Sequence, residues 1–195
     1  MIKVFFAYFE LICGYILLLP HIIFFLLSSQ TLRKVVYEDM NAINQKMHVK
    51  MKGLNVLVYV LFRNPFYRKL FYHRLGALSF LFSWYYPGSP TFYPTCKDIK
   101  GGVLLAHPVA TFLNAKSIGN GFVCRQNVTI GNKNEEQPQS KPTIGNNVSV
   151  GANVCIIGDI RIGNNVTIGA GSVVVSDIPD NCVVVGNPAR IIKRS

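Results

Sequence analysis

His107 is the residue best placed by type to do chemistry in the C-terminal half of the chain, since no other histidine follows residue 73. A neutral imidazole near pH 7 is suited to taking a proton from an alcohol. Spacing alone gives it no such role, because a lone histidine more often serves a turn or an interface. The other reactive side chains are five cysteines, Cys13, Cys96, Cys124, Cys155 and Cys182. Their number is odd and no two form a CxxC pair, which argues against a disulfide framework and a structural zinc. That usage fits a reducing compartment.

The elements that must position His107 are announced by a repeat. Aliphatic residues recur every six positions at Ile144, Val150, Ile156, Ile162, Ile168 and Val174. Ile118, Cys124 and Ile130 keep the same period upstream, and small or β-branched residues stand four places after most of them. Six residues make one short strand and one turn, and three such units close a triangular coil. Each aliphatic residue then points inward and stacks on its counterparts about 4.8 Å above and below. Glycine and asparagine suit the corners, where the backbone is tight or left-handed. One hexapeptide cannot bury its own apolar residue, so stacking is obligatory. Cys124 falls on an inward position, where a thiol acts as a small hydrophobe. The register breaks once, between Ile130 and Ile144. Eight extra residues within Asn132–Pro142 (NKNEEQPQSKP) are polar and proline-bearing and must loop out. Such a loop is either a tolerated insertion or a flap over a site.

The first half of the chain has a different character. Overall, 50% of residues are hydrophobic and mean hydropathy is +0.29. The apolar excess lies before residue 96, in Val4–Leu27, Leu54–Phe62 and Leu75–Tyr86. Residues 1–95 hold ten Lys/Arg against three Asp/Glu, a net of +7, whereas the remainder is +4. Basic charge beside apolar runs suits anionic lipid headgroups. No nucleic-acid-binding module accompanies it, so nucleic acid is not an expected partner. Val4–Leu27 is long enough to span a bilayer, and the lysines and arginines after it outnumber Lys3 before it, which would leave the C-terminal part in the cytoplasm. Leu54–Tyr86 reads as a helix able to lie in a membrane interface, or else to pack on the rest of the protein. Residues 1–95 are thus expected as a helical, apolar, basic segment, attached through residues 1–86 to the inner face of the membrane, with 96–195 as the β domain.

The motifs resemble those of hexapeptide-repeat acyltransferases, most closely the serine acetyltransferases and the O-acetyltransferases of surface-polysaccharide clusters. The matching residues are Gly102-Val103-Leu104-Leu105-Ala106-His107-Pro108, Gln126-Asn127-Val128-Thr129-Ile130-Gly131 and Pro142-Thr143-Ile144-Gly145. They continue through Ile168-Gly169-Ala170-Gly171-Ser172-Val173-Val174, Asp177-Ile178-Pro179 and Val185-Gly186-Asn187-Pro188-Ala189-Arg190. Phe62–Arg74 also looks like the helical lead-in of the polysaccharide-cluster members. The resemblance implies a left-handed parallel β-helix, mainly β, behind an α-helical apolar N-terminal segment. It implies a homotrimer with active sites in grooves between subunits, and transfer of acetyl from acetyl-CoA to a hydroxyl acceptor without a metal. His107 matches the family's catalytic histidine. Gly151, Ala152, Gly169 and Ala170 match positions along the pantetheine arm, and Arg190 and Lys193 match cations near the adenosine end. Gln126 and Lys141 fall on the acceptor side.

The departures bear on the acceptor. Lys141 stands where serine acetyltransferases carry a second histidine, and Phe92 stands where they carry the acidic partner of the catalytic one. Asp98 is the nearest substitute for that acid. The large soluble helical domain of the serine enzymes is replaced by the apolar basic segment. These differences favour a sugar hydroxyl of a surface-polysaccharide precursor over the serine of cysteine biosynthesis. An N-acyltransferase acting on a nucleotide-linked amino sugar would use the same fold and cofactor. A membrane-anchored β-helix scaffold without catalysis is the reading of another class, and it predicts no CoA binding. The γ-type carbonic anhydrases share the helix but need three histidines on zinc, and this region has one.

Overall fold

The computed structural model describes Ile2–Met47 and Lys50–Arg194, with side chains from Phe6 onward; the side chain of Lys3, used above in the charge comparison, lies outside the described residues. The chain divides into two compact units, Met1–Ser89 and Pro90–Ser195. The division falls a few residues before the expected boundary at 95/96, because Phe92–Pro94 is already a strand of the second unit, pairing in parallel with Thr111–Leu113.

The second unit is the expected parallel β-helix of hexapeptide repeats. Its strands form three faces. The first carries Phe92–Pro94, Thr111–Leu113, Thr129–Gly131, Cys155–Ile157 and Val173–Val174. The second carries Ser117–Ile118, Thr143–Ile144 and Arg161–Ile162. The third carries Leu104–Leu105, Val123–Cys124, Ser149–Val150, Thr167–Ile168 and Cys182–Val185, closed by the antiparallel Arg190–Arg194. The predicted inward residues stack in register: Cys124 on Val150 on Ile168, and Ile130 on Ile156 on Val174. All of these are buried. Burial pushes the Cys124 thiol up to about 12, so it remains a neutral core group.

Pairing register also locates the insertion. Ile144 pairs with Ile162, one coil of 18 residues later, whereas Ile118 pairs with Ile144, 26 residues later. The extra eight residues therefore leave the coil without disturbing the ladder. At the corners, Asn127, Asn147, Asn153, Asn165 and Asn181 take φ between 55° and 59°. Their amides bond from coil to coil, as in Asn127 Nδ2 to Asn153 Oδ1 at 2.9 Å and Asn147 Nδ2 to Asn165 Oδ1 at 3.0 Å. Asparagine tolerates this left-handed conformation better than other side chains, and the ladder satisfies its amide.

The first unit is helical: α1 (Ile2–Leu17), α2 (Leu19–Leu27), α3 (Gln30–Lys46), α4 (Leu54–Arg63), α5 (Pro65–Leu75) and, after a 3₁₀ turn at Gly76–Ser79, α6 (Phe80–Ser83). Two expectations change here. The apolar run Val4–Leu27 is not one helix, since it breaks at Leu18 and bends by 72°. Pro20 explains the break, because it lacks an N–H and its ring crowds the carbonyl four residues earlier. Among the described residues no single helix is long and apolar enough to cross a membrane. Leu54–Tyr86 is not one interfacial helix either. The Asn64 side chain accepts from the N–H groups of Phe66 and Tyr67 and starts a new helix at Pro65. Val56, Leu57, Val58, Val60 and Leu61 of α4 are buried. Gly14 of α1 lies so close to α4 that a Cβ there would stand 2.8 Å from Val58.

The core of this unit holds polar groups that are paired. Asp39 and Arg74 form a buried ion pair at 2.9 Å. His21 is fully buried, with Nε2 2.8 Å from the Tyr72 hydroxyl. Burial, with the Arg68 guanidinium nearby, lowers the His21 pKa to about 4, so it is neutral at pH 7.

Candidate active site

The corner between the third and first faces gathers most of the candidate residues. A ladder of backbone bonds climbs it. Ala106 N donates to Cys124 O at 2.8 Å, Asn127 N to Val109 O at 2.9 Å, Asn153 N to Gln126 O at 3.1 Å, and Gly171 N to Ala152 O at 2.9 Å. Val173 N to Gly186 O at 2.9 Å completes it. His107, Gln126, Gly151, Ala152, Gly169 and Ala170 thus line one edge of the prism, in that order. Four coil steps at about 4.8 Å give roughly 19 Å from His107 to the Gly186 turn.

His107 sits at the N-terminal end of this edge, exposed, between the strand Leu104–Leu105 and the buried Pro108. Its φ is 54°, and its carbonyl accepts from Val109 N at 2.7 Å. Left-handed backbone is uncommon for a residue with a Cβ, and such outliers concentrate at functional sites. The buried proline and the ladder bonds on either side hold the turn that projects the imidazole. Arg125 is exposed at the start of the same edge, one coil above Ala106. It was not singled out from the sequence, although its place directly before Gln126 was the available signal.

At the other end, Arg190 pairs with Val185 and Lys193 with Val183, and both cations are exposed. Arg190 therefore begins just beyond the Gly186 turn, whereas Lys193 lies further across the third face. The glycines have a reason of their own. A Cβ on Gly151 would stand 2.5 Å from Ala170 N, and one on Gly169 would stand 2.6 Å from a Val185 methyl. Close coil-to-coil approach alone demands their small size, and the result is a smooth groove floor of backbone and methyl groups.

Two candidates lie elsewhere. Asp98 is on the approach to the second face, where Ile99 bridges Ile118, and its carboxylate pairs with Lys100 at 2.7 Å. It is not a partner of His107 in this chain, and among the described residues no carboxylate reaches His107. Phe92 is fully buried within the first face, paired with Thr111. Lys141 belongs to the edge between the first and second faces, where Lys116 N donates to Pro142 O at 2.8 Å. The loop 132–142 leaves from this edge, and Pro138 and Ser140 close a shallow groove with Lys116 and Asp159. Those last two form an ion pair at 2.5 Å. His107 and Lys141 therefore stand on different edges of the prism.

Comparison with known proteins bears on the repeat and the fold. The family described as bacterial transferase hexapeptide (six repeats) matches residues 141–176. A protein of Escherichia coli strain K12 named colanic acid biosynthesis acetyltransferase WcaB is 50% identical over 86 residues, covering 44% of this chain and 52% of that protein. The mitochondrial serine acetyltransferase 3 of Arabidopsis thaliana is 41% identical over 102 residues, covering 52% of this chain and 26% of the relative. The chain thus spans about half the length of the first relative and a quarter of the second. The crystal structure of Neisseria gonorrhoeae serine acetyltransferase superposes with a TM-score of 0.65 at 28% identity, covering 86% of this chain and 68% of the other.

Proposed function

We propose that this chain, whose second unit is a hexapeptide-repeat transferase domain of the acetyltransferase kind, is an acetyl-CoA-dependent O-acetyltransferase acting in the grooves of a homotrimer. The observation that carries the reading is the single edge running from His107, past Gln126, Ala152 and Ala170, to Arg190. Its length of roughly 19 Å suits an extended pantetheine arm, with the thioester at the histidine end and the phosphates at the cationic end. Arg190 would meet those phosphates as a cation, and Lys193 would add charge further out.

In the proposed reaction His107 acts as general base. An imidazole nitrogen takes the proton from the acceptor hydroxyl as its oxygen attacks the thioester carbonyl. The tetrahedral intermediate collapses by breaking the carbon–sulfur bond. The imidazolium returns its proton to the departing CoA thiolate, leaving an acetyl ester and free CoA thiol. Backbone amides at the groove stabilise the oxyanion. No covalent enzyme intermediate is needed. With no carboxylate reaching His107 among the described residues, orientation of the ring rests on the Pro108 turn or on a neighbouring subunit.

The split of the candidates between two edges supports an assembly of subunits, for which a homotrimer is the proposed form. A threefold arrangement lays the edge bearing Lys141 and the loop 132–142 of one subunit along the His107 edge of the next, completing the acceptor side. A sugar hydroxyl of a surface-polysaccharide precursor is the preferred acceptor. Lys141 and Phe92 depart from the serine enzymes at two positions, and the similarity to the colanic acid acetyltransferase supports the same choice. Serine O-acetylation is the second reading, favoured by the similarity to serine acetyltransferases. A thiol-release assay with acetyl-CoA and a panel of serine, free sugars and nucleotide sugars decides between them. Sugar acceptors are expected to turn over fastest, and serine turnover far above theirs would overturn the preference.

A further inference from the structure

The helical unit carries an apolar surface that acetyl transfer does not use. On α1, Ala7, Leu11 and Gly14 face inward, and Leu18 at the bend is also buried. Phe9, Ile12 and Ile16 recur at the complementary helical positions and face outward. On α2, His21, Ile22 and Phe25 are buried, while Leu19, Ile23 and Leu27 face outward. These six outward residues are between 47% and 81% exposed. Six large apolar side chains exposed along one stripe make a patch on the order of several hundred Å², a size that on a soluble monomer often marks a functional surface. A helix apolar on every side normally lies in a core or in lipid.

Two neighbours continue the patch and give it a polar margin. Phe82 anchors α6 beneath α2 through His21 and Phe24, with ring centroids 4.4 and 5.3 Å apart. That packing leaves Phe80, Leu81 and Trp84 outward at 77%, 56% and 74% exposure. The Tyr85 hydroxyl donates to Leu17 O at 2.8 Å and ties the following residue to the α1–α2 bend. At the far end of α2, Arg33 Nη1 donates to Leu26 O at 3.1 Å, so a guanidinium stands beside the last outward leucines, with Lys34 next to it.

We propose that this face docks the protein on an anionic lipid bilayer, with α1 and α2 lying in the interface and Arg33 and Lys34 at the headgroups. The charge pattern chooses lipid over a second copy of the chain. The outward stripe contains no acid, the unit that bears it carries a net +7 over residues 1–95, and a like-charged copy would be repelled. The 72° bend and the inward packing of α1 on α4 suit a helix pair lying on the membrane better than one crossing it. The anionic cytoplasmic leaflet would then hold the transferase at the membrane surface.

Trp84 makes this directly measurable, because it is the only tryptophan in the chain. Full-length protein is titrated with vesicles of phosphatidylcholine alone or mixed with phosphatidylserine, following Trp84 emission and co-sedimentation. Binding to the mixed vesicles with a blue shift is expected. I12E/I16E and R33E/K34E should each weaken it by about tenfold or more, with unchanged far-UV circular dichroism. The charge-reversal pair keeps the proposal testable should the apolar pair fail to fold. Absence of vesicle binding overturns the proposal. So does equal binding to both vesicle types that ignores R33E/K34E. A lipid-independent blue shift that rises with protein concentration and accompanies self-association would instead assign the face to a second copy.

Discussion

Replacing Gly151 by alanine tests whether the groove floor is as tight as the coil geometry requires. The new Cβ would meet Ala170 N at 2.5 Å, Ala170 Cα at 2.8 Å and Gly169 C at 3.0 Å. All three are backbone atoms of the next coil, so no side chain can swing away, and the two coils must separate locally. Overpacking of this kind costs about 2–3 kcal/mol. For a unit of this size that corresponds to a fall in Tm of about 10–20 °C. Gly131 is the matched control, since its Cβ would find nothing nearer than Asn114 Nδ2 at 4.0 Å. Gly131→Ala should therefore melt close to the wild type. Differential scanning calorimetry of the three full-length proteins reads both values. Because the displaced Ala170 lies on the proposed pantetheine path, Gly151→Ala should also raise KM for acetyl-CoA more than it lowers kcat. A Gly151→Ala protein melting within about 2 °C of wild type would refute the reasoning, as would equal destabilisation by Gly131→Ala.

Two further outcomes follow from the structure. His21 is neutral and buried, with a pKa near 4 against an ordinary 6.5. The unfolded chain therefore binds a proton that the native state refuses, so this stability is complete above pH 6.5 and drains away as pH falls toward 4. The ceiling is about 3 kcal/mol; urea unfolding followed by Trp84 fluorescence at pH 7 and pH 5 measures it, and a His21→Gln protein should show a shallower pH slope. Excising eight residues from the loop 132–142 should restore an 18-residue coil step, leaving circular dichroism and Tm near wild type while acceptor turnover falls. Unfolding on excision would show that the loop is part of the ladder.

The β-helix was legible because its period is imposed at every coil. Ile144, Val150 and Ile156 must each point inward, so their six-residue spacing is a direct record of the stacking. The insertion was legible for the same reason, as eight residues in excess of that count. The helical unit was harder to read. Hydropathy averaged over Val4–Leu27 hides the break that Pro20 imposes, and burial of one face of α1 against α4 depends on residues some forty positions away. The pairing of Asp98 with Lys100 was likewise invisible, since it turns on which face of the prism each side chain occupies. Counting coils across the insertion would have put Lys141 and His107 on different edges. The ladder bonds make that placement concrete, with Pro142 held on the edge at Lys116 and Ala106 on the edge at Cys124.

The most direct measurement of the account is the thiol-release rate with acetyl-CoA and the best acceptor, for wild type and His107→Ala. If His107 is the general base, kcat/KM falls by about 10²–10⁴, with fold and assembly unchanged. A folded His107→Ala protein of unchanged assembly that kept full transferase activity would contradict it.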